Sequence, residues 1–421
     1  MDHLTVRIFA LLGGLWGPLL TSCATVVLPP GGALDDKAVA ALNWDQSGVL
    51  PVASEKMRIF DGGPAIKQRM LDLIGAAEDY ILVDSFLLTD GPEAREILDA
   101  LVAKSRQGIR VHLIGDASSR FVPEPAAFAY LAGKGVPVAE FNPITSLKVL
   151  FLPAVMERDH RKFWIVDGKT LFFGGANLSE LSLLPPCSGG NLDFMMELES
   201  AEAIARLVAS FVSTWNKSVK DPALRVSDFP VKAGGGGSGS RYWVFDQNSV
   251  HANPTPTQVM MAALFAKAKR TAWLLEPYAF TNREILSEVR RMVARGVRVN
   301  VMLSTEVRAP RFHYASHFGI DDLTKAGATV WIFDSMISPL HYKCAVVDDE
   351  LAYIGSANWN YRSYHLSREL NVMFDDPRGV GEVRRVIEDV RSHSREVSRE
   401  EARQYRKPRY FLWWLVMQTA G

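Results

Sequence analysis

Two stretches of this chain repeat one another in register: His160 and His341 are 181 positions apart, and so are Gly174 and Gly355. A duplication restricts the fold more than composition does, because each copy must build the same supersecondary unit and the two must then share an interface. The repeat reaches well beyond those positions. A helix is expected over residues 66–77 leading to a strand at 80–83, and again over 258–268 leading to 271–275. Helices ending at glycine come next, over 93–107 before Gly108 and 283–295 before Gly296. Strands of period two follow at 109–114 and 297–302, and Gly135 and Gly327 each precede another strand. Alternating helices and strands predict an α/β protein with two tandem α/β/α sandwich domains of mixed sheet, and a site at the pseudo-twofold interface.

Residues 233–240 read AGGGGSGS, a flexible linker by composition, which divides the body into a first domain at 51–232 and a second at 241–400. Ahead of the body, an apolar run over 8–22 follows Arg7 and contains Gly13, Gly14, Gly17 and Pro18. It is short for a membrane span, so 1–22 are expected to be a secretory signal peptide. Leu20-Thr21-Ser22-Cys23 resembles the lipobox of bacterial lipoproteins, which implies lipidation at Cys23, a tether over 23–50 and an extracytoplasmic place in the bacterial envelope. Ala24 favours the outer membrane where the host has one. An uncleaved anchor is the alternative. Of the other cysteines, Cys187 and Cys344 could pair in an exported protein. Cys344 directly follows a motif lysine on a predicted strand, however, where a small buried thiol is expected.

The repeated segments carry the chemistry. The first reads His160-Arg161-Lys162, then Asp167-Gly168, then Gly174-Gly175-Ala176-Asn177; the second reads His341-Tyr342-Lys343, then Asp348-Asp349, then Gly355-Ser356-Ala357-Asn358. Both are expected to be β-hairpins turning at Asp167 and Asp348. Residues two apart on a strand share a face, so each His should emerge beside its Lys. Two imidazoles and two ammonium groups supply what phosphodiester cleavage needs: a nucleophile, neutralisation of the non-bridging oxygens and a proton for the leaving alkoxide. Asn177 and Asn358, with Gly175 and Ser356 beside them, are candidates to bind the phosphate. The motif aspartates, at hairpin turns, are read as structural. No Cys/His or carboxylate cluster at ligand spacing accompanies the motifs.

These segments resemble the HxKx4Dx6G(G/S)xN signature of the phospholipase D superfamily, twice and with every spacing intact, over about residues 57–376. The resemblance implies phospholipase D-type domains and a ping-pong reaction in which one His attacks phosphorus and the other protonates the departing alcohol, then activates the acceptor. It implies neither a metal nor another cofactor, which agrees with the lack of a ligand cluster beside the motifs. Family usage makes His160 the nucleophile and His341 the acid/base, although the sequence is symmetric on this point. It also implies an acid about thirty residues downstream for each His, Asp193 for His160 and Glu369 for His341, holding the second ring nitrogen.

Asn358-Trp359-Asn360-Tyr361-Arg362-Ser363 followed by Glu369 resembles the NxDxRS pattern of bacterial cardiolipin synthases, with Asn360 in place of the usual Asp. This leaves phosphatidyl transfer to an alcohol and hydrolysis by water both open. The expected partners are a phospholipid substrate and a membrane surface. Lys plus Arg equals Asp plus Glu at 47 each, so the chain offers no broad cationic surface and no nucleic-acid partner is expected, which leaves a metal-independent nuclease of the same superfamily as the third and least favoured reading. At the far end, Arg403, Arg406, Lys407 and Arg409 lead into Tyr410-Phe411-Leu412-Trp413-Trp414-Leu415-Val416-Met417. Residues 401–421 are therefore expected to be a membrane-interface tail, the alternative being a terminal helix packed on the core.

Overall fold

The computed structural model describes residues 49–52 and 56–420, apart from 146–147, 149–154, 220–222, 233–239, 306–309 and 336. The signal segment, Cys23, almost all of the tether and the linker up to its last residue lie outside the described residues. In the first half the strands are β1 Val49–Val52, β2 Met57–Asp61, β3 Tyr80–Ser85, β4 Arg110–Asp116, β5 Val138–Phe141, β6 Arg158–Asp159, β7 Lys162–Val166, β8 Thr170–Gly174 and β9 Phe194–Leu198. The second half contributes β10 Tyr242–Gln247, β11 Thr271–Glu276, β12 Arg298–Ser304, β13 Thr329–Phe333, β14 Cys344–Val347, β15 Leu351–Gly355, β16 Ser367–Phe374 and β17 Ser394–Glu396.

The first sheet runs β2-β9-β8-β7-β3-β4-β5 and the second runs β1-β10-β16-β15-β14-β11-β12-β13-β17. Each has a parallel portion, β3-β4-β5 or β11-β12-β13, joined to an antiparallel portion built on the motif hairpin. The parallel strands are connected by helices, as parallel neighbours require. Helices Pro92–Arg106 and Arg283–Ala294 close the β3–β4 and β11–β12 crossovers. Both run into glycines at positive φ, Gly108 at 90° and Gly296 at 84°, where the left-handed turn that starts the next strand strains a side chain.

Three apolar layers result. One lies between the first sheet and helices Gly63–Ala76 and Pro92–Arg106. Another lies between the second sheet and helices Pro256–Lys267, Arg283–Ala294 and Pro310–Ala326. The third is shared by the inner faces of both sheets and holds helices Ala201–Ser218 and Pro377–Ser392, with Phe163, Phe211 and Trp215 beside Tyr342, Cys344, Val383 and Ile387. This is the expected pair of α/β/α sandwiches, with their inner helices fused into one core.

Two elements cross between the halves in ways the domain limits at 51–232 and 241–400 do not anticipate. β1 runs antiparallel to β10 at the edge of the second sheet, so residues 51 and 52 belong with the second half. β6, immediately before His160, pairs in parallel with Ser367 and Arg368 of β16. Its pseudo-symmetric counterpart is the parallel bridge between Leu192 and Leu340.

Candidate active site

These two bridges place the motif histidines. The His160 N–H donates to the Arg368 carbonyl and the His341 N–H to the Leu192 carbonyl. Each histidine therefore hangs on the residue just before the acid of the other half. The side chains follow: His160 Nδ1 lies 3.1 Å from Glu369 Oε2, and His341 Nδ1 lies 2.5 Å from Asp193 Oδ2. The family resemblance assigns each acid to the histidine of its own half. Asp193 and Glu369 do hold the two imidazoles, but the pairing is exchanged, because the bridges bring each acid-bearing strand across the pseudo-twofold.

Neither histidine lies on a strand. β7 begins at Lys162 and β14 at Cys344, so each His-x-Lys is extended chain entering the hairpin. The residue between His and Lys points the other way and crosses the interface too. Arg161, fully buried, bonds Asp159 at 2.7 Å, Asp84 and, from the second half, Asp246 at 3.2 Å, with Ser210 and Thr214 completing its donors. Tyr342, its counterpart, donates to Asp61 of the first half at 2.6 Å. Asp61 and Asp246 occupy equivalent places, since they pair with Phe194 and Leu370, the residues directly after the two acids. Burial and neighbouring Asp159 push the Asp84 carboxyl well above its ordinary range, which eases the crowding of acids around one guanidinium.

Burial sets the electrostatics of the site. It pushes His160 down to about 4, with Lys162 adding to the shift and Glu369 opposing it; His341 also falls to about 4, with Lys343 adding and Asp193 opposing. Both rings are thus neutral near pH 7 before an anion arrives. Burial likewise takes Lys162 down to about 7, against Glu369 and with Lys343, and lowers Lys343 against Asp193 and Glu276. Burial opposes ionisation of Glu369 as well, but His160, Lys162 and Ser356 outweigh it and hold the carboxylate below its ordinary pKa. With Nδ1 of each ring committed to an acid, Nε2 is the nitrogen left to meet a substrate.

The flanking residues divide the remaining work. Asp167 accepts from the backbone N–H groups of Glu78, Asp79 and Tyr80, and Asp348 from those of Lys269, Arg270 and Thr271, all within 2.7–2.9 Å. Both sit at φ 55° in the hairpin turn and anchor the loop that feeds β3 or β11, as structural residues. Ser356 donates to Glu369 at 2.5 Å and accepts from Leu370 N–H, so its hydroxyl is committed to the acid rather than turned to a phosphate. Gly175, its counterpart, has no side chain because a Cβ there would lie 2.2 Å from Asp193 Oδ1. The phosphate-binding role expected for these two is therefore corrected to one of seating the acids.

Asn177 accepts from Leu87 N–H, and Asn358 donates to the Tyr278 hydroxyl while its own buried Oδ1 has no partner among the described residues. Asn358 and His160 line a cavity of about 180 Å³ together with the aromatic Phe86, Tyr278 and Phe312 and the polar Ser118, Arg362, Ser363 and Ser367. Phe86, Tyr278 and Phe312 belong to no motif, and no spacing in the sequence pointed to them. Asn360 caps helix Tyr361–His365 by accepting from Ser363 N–H, a task the usual Asp performs equally well. Cys187 is exposed and Cys344 buried, both as free thiols. Among the described residues no group of His, Cys, Asp and Glu could hold a metal ion.

Two histidine–lysine pairs, each imidazole on a carboxylate from the opposite half of a duplicated α/β fold, define a protein of the phospholipase D superfamily. Residues 70–215 and 261–391 each match the family described as cardiolipin synthase, PLD-like domain, and the chain belongs to that family. It is 29% identical to the major cardiolipin synthase of Bacillus subtilis over 312 residues, which cover 73% of this chain and 63% of that protein. It is 25% identical to cardiolipin synthase 1 of Staphylococcus epidermidis over 357 residues, 82% of this chain and 70% of that one. The chain thus spans a little under two thirds of the first relative. The crystal structure of a phosphatidylserine synthase from Haemophilus influenzae shares the fold, with a TM-score of 0.70 at 16% identity over 89% of this chain and 98% of that one.

Proposed function

We propose that this protein is a phosphatidyltransferase of the cardiolipin synthase kind, moving a phosphatidyl group between alcohols through a covalent phosphohistidine. The observation that carries the reading is the exchanged pairing, which leaves two neutral imidazoles with their Nε2 atoms free on either side of one site flanked by Lys162 and Lys343. One Nε2 attacks phosphorus as the bond to the departing alcohol breaks; the other ring takes up a proton at Nε2 from solvent as the anionic phosphodiester enters, gives it to the alcohol oxygen and becomes neutral again. Its carboxylate stabilises whichever ring is positively charged at each stage, and the lysines offset the charge on the non-bridging oxygens. A second alcohol then gives its proton to the acid/base ring as its oxygen takes the phosphatidyl group from the first ring. Across the two steps the acid/base ring gives one proton and regains one, and the nucleophilic ring ends as it began, so the cycle closes with the chain's own side chains.

The family membership and the cardiolipin synthase relatives support a phospholipid as the substrate. The N-terminal apolar run and Cys23 support an anchored, extracytoplasmic setting. Incubation of the purified protein with phosphatidylglycerol tests the reading: cardiolipin and glycerol are expected in equal amounts. Phosphatidic acid as the only lipid product would overturn transfer in favour of hydrolysis.

A further inference from the structure

Single exposed apolar side chains carry no message, because much of any protein surface is apolar; their grouping does. Among the described residues, eight of the ten large apolar side chains left exposed gather on one edge. Phe121, 68% exposed, follows β4; Ile144 follows β5; Leu181 follows the β7–β8 hairpin; and Ile337, 58% exposed, follows β13. Phe411, Leu412, Leu415 and Val416 form the outer face of the C-terminal helix Pro408–Ala420. The helix turns Tyr410 and Met417 inward, and Trp414 Nε1 donates to the Thr281 carbonyl in the loop after β11.

Strand direction shows that these positions share an edge. β3, β4 and β5 run parallel, as do β11, β12 and β13, so the loops after them leave from the same end of each sheet. Lys162, at the start of β7, pairs with Ser85 at the end of β3, which puts His160 at that end too. The two ends meet at the exchanged His–acid pairs. Val226 and Val231 are the exceptions, lying toward the opposite edge, where Lys232 N–H bonds the Gly168 carbonyl in the hairpin turn.

The helix serves as both core and surface. Met417, Trp413 and Trp414 pack with Phe280, Tyr278 and Phe312, and the last two of these wall the cavity beside His160. Of its basic neighbours, Arg406 is spent on Asp321 and Asp322, whereas Arg403, Lys407 and Arg409 stay exposed beside the apolar strip. Cations next to a short amphipathic helix suit an anionic lipid interface. At 13 residues the helix is too short to span, and among the described residues none is long and apolar enough to cross a membrane.

We propose that this whole edge is the face on which the protein lies on an anionic phospholipid bilayer, with loops from both halves and the C-terminal helix dipped into the interface and the histidine pair facing the headgroups. The proposal rests on the lipid reading above and adds the orientation of the enzyme on its substrate. It extends the expected tail, residues 401–421, to a rim that surrounds the site.

The test uses the full chain with Cys23→Ser, so that no acyl anchor contributes, and vesicles of phosphatidylglycerol and phosphatidylcholine. Wild type is expected to float with the vesicles, and the variant Phe121→Glu, Ile337→Glu, Leu412→Glu, Leu415→Glu to bind at least about tenfold more weakly, since each exchange sets a charge where an apolar group would be buried. All four positions are exposed, and circular dichroism verifies that the variant folds. Turnover of vesicle lipid should fall with binding, while turnover of a short-chain phosphatidylglycerol below its micelle concentration should stay within about twofold. Equal binding by the variant, equal loss on both substrates, or a loss of self-association instead of vesicle binding would overturn the proposal. If wild type yields only phosphatidic acid from either substrate, the transfer reading fails and the docking result stands by itself.

Discussion

Glu369→Gln is the most informative single change, because Glu369 serves a histidine 209 positions away. Its Oε2 is 3.1 Å from His160 Nδ1, and at an effective dielectric constant of about 20 a carboxylate and an imidazolium at that distance attract by about 5 kcal/mol. Removing both from water offsets part of this. Glutamine keeps the shape and loses the charge, and about 1.4 kcal/mol is a factor of ten in rate. Turnover should therefore fall by about 10²–10⁴-fold, the upper end matching what an Asp-to-Asn change does to a Ser-His-Asp triad. Rate alone does not reveal which ring has lost its partner, but ring-nitrogen NMR on labelled histidine does. Glu369→Gln should move the His160 signals and lower the His160 pKa further, while leaving His341 in place; Asp193→Asn should do the reverse. Movement of His341 alone in the Glu369 variant would refute the exchanged pairing.

Other consequences follow from the same geometry. With His160 and His341 at about 4 against an ordinary 6.5, the unfolded chain binds more protons in that interval, so stability present above about pH 6.5 should be lost progressively as the pH falls to about 4. Denaturant midpoints should show this, and the loss should shrink in a His160→Ala, His341→Ala variant. Lys162 at about 7 should set an alkaline limb on kcat/KM as phosphate binding weakens, and Lys162→Arg should move that limb upward. Asp167→Ala or Asp348→Ala strands three backbone N–H groups apiece and should cost about 2–4 kcal/mol in denaturant unfolding, with most of the turnover per folded molecule retained. Gly175→Ser should displace Asp193 from His341 and reduce turnover by about tenfold or more. Adding Asp193→Glu rebuilds the Ser356–Glu369 arrangement and should restore part of the loss; no recovery would show that the two seats are not equivalent.

The repeat was legible as a fixed offset of 181 positions, and the hairpins and glycine-ended helices because each depends on spacing within a few turns of chain. Helix 66–77 and strand 80–83, for example, are found at Gly63–Ala76 and Tyr80–Ser85. Pairing between distant segments was not legible. The family resemblance points to Asp193 and Glu369 but carries no information on which sheet edge a two-residue bridge will join, and those bridges decide which acid meets which ring. β1 was missed for the same reason, since its partner β10 lies about 190 residues further on. Ser356 read as a phosphate ligand because the motif places it beside Asn358, whereas its hydroxyl is claimed by an acid that comes close only in the folded chain. The tail takes the form of the alternative, a terminal helix packed on the core through Tyr410 and Met417, with Phe411 and Leu412 left exposed.

The exchanged acids also bear on how such a protein can change over generations. A substitution near Gly175 is felt by Asp193 and hence by His341, which the other half carries, so the two copies are not free to drift apart as duplicated domains usually are. Arg161 with Asp246, and Tyr342 with Asp61, bind them further. A single copy with this geometry would hold a histidine without its acid and could mature only by meeting a second copy. Joining the two in one chain replaces that encounter with an intramolecular one at high effective concentration. Even positions that have diverged stay within that constraint: Leu181 and Arg362 follow their motif asparagines by the same four residues and have become different kinds of side chain, and Arg362 donates to the Met156 carbonyl of the other half.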